Sequence, residues 1–145
     1  MSFFQLTIMT TCHIMMEICM GWRLIMIKRI VIAGCRNFND YEQASEYIDI
    51  CITEIRKRYS LVFVSGGCQG ADIIGEKYAK ENGFAIEKIL PDWQKYGRAA
   101  GPIRNEEMAK AADYVICFWD GKSRGTKSMI GFAKKHKKPL KVKMI

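Results

Sequence analysis

From residue 28 onward, short continuous apolar runs alternate with longer stretches whose apolar positions recur every three or four residues. Lys28 to Gly34 carries Ile30, Val31, Ile32 and Ala33 and ends in glycine, which predicts a buried strand. Asn39 or Asp40 can cap the helix that follows, along which Ala44, Tyr47, Ile48, Cys51, Ile52 and Ile55 form one apolar face. Leu61 to Val64 predicts a second strand, closed by Ser65-Gly66-Gly67. A helix from Ala71 to Glu81 stops at Asn82-Gly83, residues that tolerate a left-handed backbone. Phe84 to Leu90 predicts a third strand, 91–101 a long loop, and Asn105 to Ala112 a helix. Tyr114 to Trp119 is a fourth strand, Gly125 to about Lys137 a last helix, and Pro139 to Ile145 an edge strand, since proline is tolerated at a strand start.

Strands separated by helices imply right-handed crossovers and a mainly parallel sheet. The expected fold is therefore a single α/β, Rossmann-like domain, with five strands in the order 3-2-1-4-5 and helices on both faces. In such sheets ligands bind beyond the carboxyl ends of the strands, where the strand order reverses. The loops after strands one, two and four are the ones to search.

Residues 1–25 differ in texture. They hold five of the nine methionines, and the first sixteen carry no charge. Thr and His interrupt them and no basic region precedes them, which makes a poor secretory signal. The domain is expected over 26–145, with 1–25 an appendage or the product of an upstream start-site assignment. His13 is given no role.

The length of 145 residues suits one domain, which typically buries roughly 68–70% of its unfolded surface. Hydrophobic residues at 49% and charged residues at 26% exclude a disordered or collagen-like chain. No apolar run is long enough to predict a membrane-spanning helix. The six cysteines form no C-x-x-C pair and only two histidines are present, so a zinc cage is a poor reading. Scattered single cysteines fit a reduced, cytoplasmic protein.

The net charge of +8 sits at one end: nine Lys or Arg and no acids follow residue 120. Such an end attracts phosphates, or it is a solvated helix terminus whose lysines complement the helix dipole.

Three glycines, Gly66, Gly67 and Gly70, stand between strand two and the next helix, followed by Asp72. Glycine lets backbone amides approach a ligand, and a helix start offers unpaired N–H groups. The loop is either a tight turn or a phosphate cradle. Asp72 can bond a ribose hydroxyl or help the helix begin. Neither G-x-G-x-x-G nor a Walker A motif is present, against a standard dehydrogenase or P-loop NTPase. The loop after strand four, Asp120-Gly121-Lys122-Ser123-Arg124-Gly125-Thr126, places hydroxyls, a guanidinium and a glycine at another helix start. Ser123 can equally be a plain helix cap. Gly34 and Arg36 follow strand one, and Arg104-Asn105 opens the helix before strand four, so both arginines can face one ligand. Trp93 and Tyr96 can stack on a base or cover the sheet edge; Trp119 is read as core.

Five pieces occur in a characteristic order: A-G-C-R-N-F-N-D, S-G-G-C-Q-G-A-D, A-K-E-N-G, D-W-Q-K-Y-G-R-A-A-G-P-I-R-N-E-E-M and D-G-K-S-R-G-T-K-S-M-I. Together they make the chain from Arg29 onward resemble the SLOG superfamily (Smf/DprA and LOG related), in its YspA, cpYpsA-related branch. The resemblance implies a Rossmann-like domain that binds nucleotides or nucleotide-derived ligands. Carried over by position, it implies a pocket lined by Gly34, Arg36, Gly66, Gly67, Gly70, Asp72, Arg104, Asn105, Ser123, Arg124, Gly125 and Thr126. LOG enzymes of that superfamily cleave the N-glycosidic bond of nucleoside 5′-monophosphates, with motifs R-K-x-x-M and P-G-G-x-G-T-x-x-E. Arg104-Asn105-Glu106-Glu107-Met108 resembles the first, and Gly125-Thr126 is what survives of the second. Lys122 and Ser123 replace the paired glycines, and Met129 stands at the glutamate position.

Glycosidic cleavage builds positive charge on the sugar, which a carboxylate stabilises and methionine cannot. The leading expectation is therefore a sensor or carrier of a nucleotide-like ligand, with Mg²⁺ accompanying a phosphate if any metal is used. A nucleotide N-glycosidase or phosphohydrolase using Arg104 and Asp72 is the alternative. Nucleic-acid binding through the basic C-terminus ranks third. A homo-oligomer is compatible with each reading.

Overall fold

The computed structural model describes residues 26–145; the appendage expected over 1–25 lies outside them. The elements run β1 (Ile27–Gly34), α1 (Tyr41–Arg56), β2 (Ser60–Ser65), α2 (Ala71–Glu81), β3 (Ala85–Lys88), α3 (Trp93–Tyr96), a 3₁₀ turn (Gly97–Ala99), α4 (Ala100–Ala111), β4 (Tyr114–Trp119), α5 (Arg124–Lys135) and β5 (Leu140–Met144). The five strands form one sheet in the order β3-β2-β1-β4-β5, and every neighbouring pair is parallel.

Side chains of a strand alternate between its two faces. Ile30 and Ile32 of β1 join Phe63, Ile116 and Phe118 on the face covered by α1 and α2, through Ala44, Ile48, Ile52, Ile74 and Tyr78. Val31 and Ala33 join Val64, Val115 and Cys117 on the other face, under Met108, Met129 and Ala133 of α4 and α5. This two-sided burial is why the central strands read as continuous apolar runs instead of alternating ones. Right-handed crossovers require the same arrangement: the chain builds β1, β2 and β3 outward on one side, then returns to place β4 and β5 on the other.

Two boundaries depart from the expectation. Among the described residues β3 is an edge strand that pairs only with Val62–Ser65, so its ladder is short. Phe84 lies before it and stacks on Phe63, with centroids 5.3 Å apart. The stretch 91–101 is not a plain loop. It contains α3 and the 3₁₀ turn, and α4 begins at Ala100 instead of Asn105. Pro102 falls in the first turn of α4, where its missing N–H would have no intrahelical acceptor in any case.

Candidate functional site

All five strands point their carboxyl ends to one edge of the sheet. At that edge β1 and β4 are neighbours whose following helices leave to opposite faces. The separation opens a cavity of about 490 Å³, within the range typical of small-molecule sites. Gly34, Arg36 and Asn37 come from the loop after β1; Cys68 and Asp72 from the junction of β2 and α2. Arg104 and Asn105 come from α4, and Lys122, Ser123, Gly125 and Thr126 from the start of α5.

Gly34 is the pivot. A Cβ there would lie 2.4 Å from the Phe118 carbonyl oxygen and 2.8 Å from the Ala71 Cβ. Only glycine lets the ends of β1 and β4 and the start of α2 converge so closely. Gly70, at φ +80°, is equally required: its missing Cβ would stand 2.1 Å from the Cys35 carbonyl oxygen.

The start of α5 is built by its own loop. Asp120 Oδ1 accepts the amides of Lys122 and Ser123, each at 2.8 Å. These bonds hold the Asp120 carboxyl below its ordinary range. Ser123 caps the helix by accepting the Thr126 amide at 3.4 Å and the Thr126 hydroxyl at 3.0 Å. The amides of Arg124 and Gly125, at the first two helical positions, have no intrahelical acceptor and carry the positive end of the helix dipole. A Cβ placed on Gly125 would meet nothing within 4 Å, so this glycine leaves open space at the cavity wall.

The glycine loop after β2 works differently. The amides of Gly66 and Cys68 turn inward and donate to Asp72 Oδ2 at 3.1 and 3.3 Å; that of Gly67 donates to Ser65 Oγ at 3.1 Å. The Gly66 carbonyl accepts from Arg104 Nη1. Arg104 is buried; its Nε donates to Asn105 Oδ1 at 3.0 Å and its Nη2 to Cys68 Sγ at 3.4 Å. A guanidinium has five N–H donors, so this pattern leaves others for a ligand. Burial pushes the Asp72 carboxyl up to about 6, against the opposing pull of the Cys68 amide, Arg104 and the Gly66 amide.

Of the residues expected to line a pocket, Gly34, Arg36, Asp72, Arg104, Asn105, Ser123, Gly125 and Thr126 border this cavity. Gly66, Gly67, Gly70 and Arg124 do not. The amides of Gly66 and Gly67 are taken by Asp72 and Ser65, and the Gly66 carbonyl by Arg104, so in this structure the loop braces Asp72 and Arg104. Asp120, Lys122, Cys35 and Cys68 also border the cavity, although they were not among the residues expected to line a pocket. Asp120-Gly121, a turn signal beside a helix start, points to the first two; nothing in the sequence singles out the cysteines. Met129, at the position of the LOG glutamate, is 1% exposed and packed in the core.

Trp93 and Tyr96 stand outside the cavity and are 55% and 40% exposed. Trp119 packs against both core clusters, and its indole N–H donates to the Ser123 carbonyl at 3.2 Å. The basic end is partly structural. Lys135 and His136 donate to Glu106 at 2.9 and 3.0 Å and tie α5 to α4, and these hydrogen bonds hold the Glu106 carboxyl down near 2.

Among the described residues no group of three His, Cys, Asp or Glu side chains is placed to hold a metal ion. A Mg²⁺ arriving with a phosphate would therefore take most of its ligands from that phosphate and from water. No described helix is long and apolar enough to cross a membrane.

Comparison with known proteins agrees with this architecture. Residues 28–96 match the YspA, cpYpsA-related SLOG family. The chain is 35% identical over 116 residues to the Gene 61 protein of Mycobacterium phage D29, an alignment covering 75% of this chain and 90% of that one. DNA processing protein A (DprA) from Streptococcus pneumoniae superposes with a TM-score of 0.61 at 18% identity, over 81% of this chain and 50% of the DprA chain. The protein TM1055 superposes with a TM-score of 0.56 at 22% identity, over 79% of this chain and 72% of that one. The two superpositions show a shared fold, with this chain spanning half the length of DprA. The phage relative, the profile match and the motif series together place the chain in the YspA, cpYpsA-related SLOG family.

Proposed function

We propose that this protein binds a nucleotide or nucleotide-derived phosphorylated ligand in the cavity between β1 and β4, as a sensor or carrier. The observation that carries the reading is convergence. Gly125, whose amide at the start of α5 has no intrahelical acceptor, Lys122 and two arginines, Arg36 and Arg104, come from three separate segments and border one space. Phosphate oxygens suit such a set of donors. Family membership supports the same ligand class. The free thiols of the described cysteines suit a reducing, cytoplasmic setting.

A thermal-shift panel tests it, using nucleoside mono-, di- and triphosphates, NAD, ADP-ribose and cyclic nucleotides, with and without Mg²⁺. A bound ligand at one hundred times its dissociation constant adds about 2.7 kcal/mol. The reading predicts stabilisation by at least one compound. No shift across the panel would contradict it.

Asp72 favours a second reading, hydrolysis of the ligand. A carboxyl near 6 in the cavity is suited to exchanging protons near neutral pH. Release of free base or phosphate, abolished in Asp72→Asn, would support a nucleotide N-glycosidase or phosphohydrolase. Unchanged turnover in that variant would remove Asp72 from the chemistry.

A further inference from the structure

Asp72 is held by one oxygen only. Oδ2 receives two amides, whereas Oδ1 has no hydrogen-bond partner among the described residues. No described buried side-chain oxygen lacks a partner, so Oδ1 is not sealed in, and Asp72 is one of the residues that border the cavity. The neighbouring guanidinium does not pair with it. The hydrogen bonds of Arg104 go to Gly66, Asn105 and Cys68.

We propose that Asp72 takes up a proton from solvent as the anionic group of the ligand enters the cavity, and that Oδ1 then donates a hydrogen bond to that anion. The proposal rests on the anion-binding reading above and names the group that answers the ligand's charge. A second negative charge in a partly dry pocket disfavours the ionised carboxylate.

The groups facing Asp72 leave it balanced between its two forms. Arg104 on α4 favours the carboxylate, as do the amides of Gly66 and Cys68, while Glu76 on α2 opposes it. Arg36, Lys122 and Asp120 are the other charged residues that border the cavity. Beneath, the Cys117 thiol of β4 is pushed up to about 12, by burial first and by the Asp72 charge second. With burial already holding Asp72 near 6, an incoming anion needs to shift the balance only modestly to protonate it at neutral pH.

Sulfate is a suitable probe, because it keeps its double charge from about pH 4 to pH 9 and brings no titration of its own. The carboxyl carbon of Asp72 is followed by NMR across that range in the full chain, in sodium sulfate and in sodium chloride of equal ionic strength. The expected result is a midpoint raised by about one unit or more in sulfate. By linkage, sulfate affinity of the native protein then falls about tenfold between roughly pH 5 and pH 8, and in Asp72→Asn it stays flat. If the amides of Gly125 and Thr126 respond to sulfate but the Asp72 midpoint stays or falls, anion binding stands and the proposal is overturned. If those amides do not respond, the anion-binding reading fails and the proposal falls with it. The titration uses the native chain, so a poorly folded variant does not rescue the idea.

Discussion

Gly125 is a residue at which binding can be separated from stability. It occupies the second position of α5, and a Cβ there meets nothing within 4 Å. Alanine is a better helix former than glycine by up to about 1 kcal/mol. Gly125→Ala is therefore expected to raise the melting temperature slightly while placing a methyl group where the ligand's anion approaches. The check is a melting curve with and without the best-stabilising nucleotide: higher without it, and a smaller ligand shift than in the native protein. Gly70→Ala should behave in the opposite way, because its Cβ would stand 2.1 Å from the Cys35 carbonyl and its φ is +80°. Denaturant titration should show a loss of about 1–3 kcal/mol or more.

Asp72 links the site to pH even in the free protein. Its folded value near 6 lies above the ordinary 3.8, so folding favours the protonated form. The associated stability is fully present below about pH 4 and is lost as pH rises through 6, up to about 3 kcal/mol. Asp72→Asn keeps an acceptor oxygen for the Gly66 and Cys68 amides without a charge to bury. Urea unfolding of both proteins should show the variant gaining on the native chain between pH 4 and pH 7; parallel pH profiles would contradict this.

At the scale of elements, two helix caps make a matched pair. Asp40 accepts the Gln43 amide at 3.0 Å at the start of α1, and Ser123 accepts the Thr126 amide at the start of α5. Replacing either by alanine should cost about 1 kcal/mol in chemical denaturation. Only Ser123→Ala should also weaken ligand binding, because only that cap borders the cavity.

The elements were legible to different degrees, for physical reasons. The strand order follows from the alternation of apolar runs with helical spacing, because crossover handedness leaves few topologies. The start of α4 does not follow, because Gly101-Pro102 reads as a break although proline is harmless in a first helical turn. Helix starts rich in glycine mark the region of the site. They do not reveal that Asp72 already holds the Gly66 and Cys68 amides, because that pairing depends on how the loop folds back through the positive-φ turns at Gly67 and Gly70. The fully buried place of Met129 is likewise a matter of packing, although its lack of a carboxylate is plain from the sequence.

Across the whole molecule, the parallel sheet gathers its loops at one edge, and the reversal between β1 and β4 turns that edge into a cavity. The lysine-rich C-terminus lies on α5 and the edge strand β5, where Lys135 and His136 serve to join helices. Binding driven by that end alone would weaken steeply with salt and would not depend on Gly125. The most direct measurement of the central claim is amide chemical-shift mapping with the nucleotide that stabilises the protein most. The account predicts perturbations at Gly34, Arg36, Asp72, Asn105, Gly125 and Thr126, around one cavity. Perturbations confined to the lysines between 134 and 143, with those cavity amides unmoved, would contradict it.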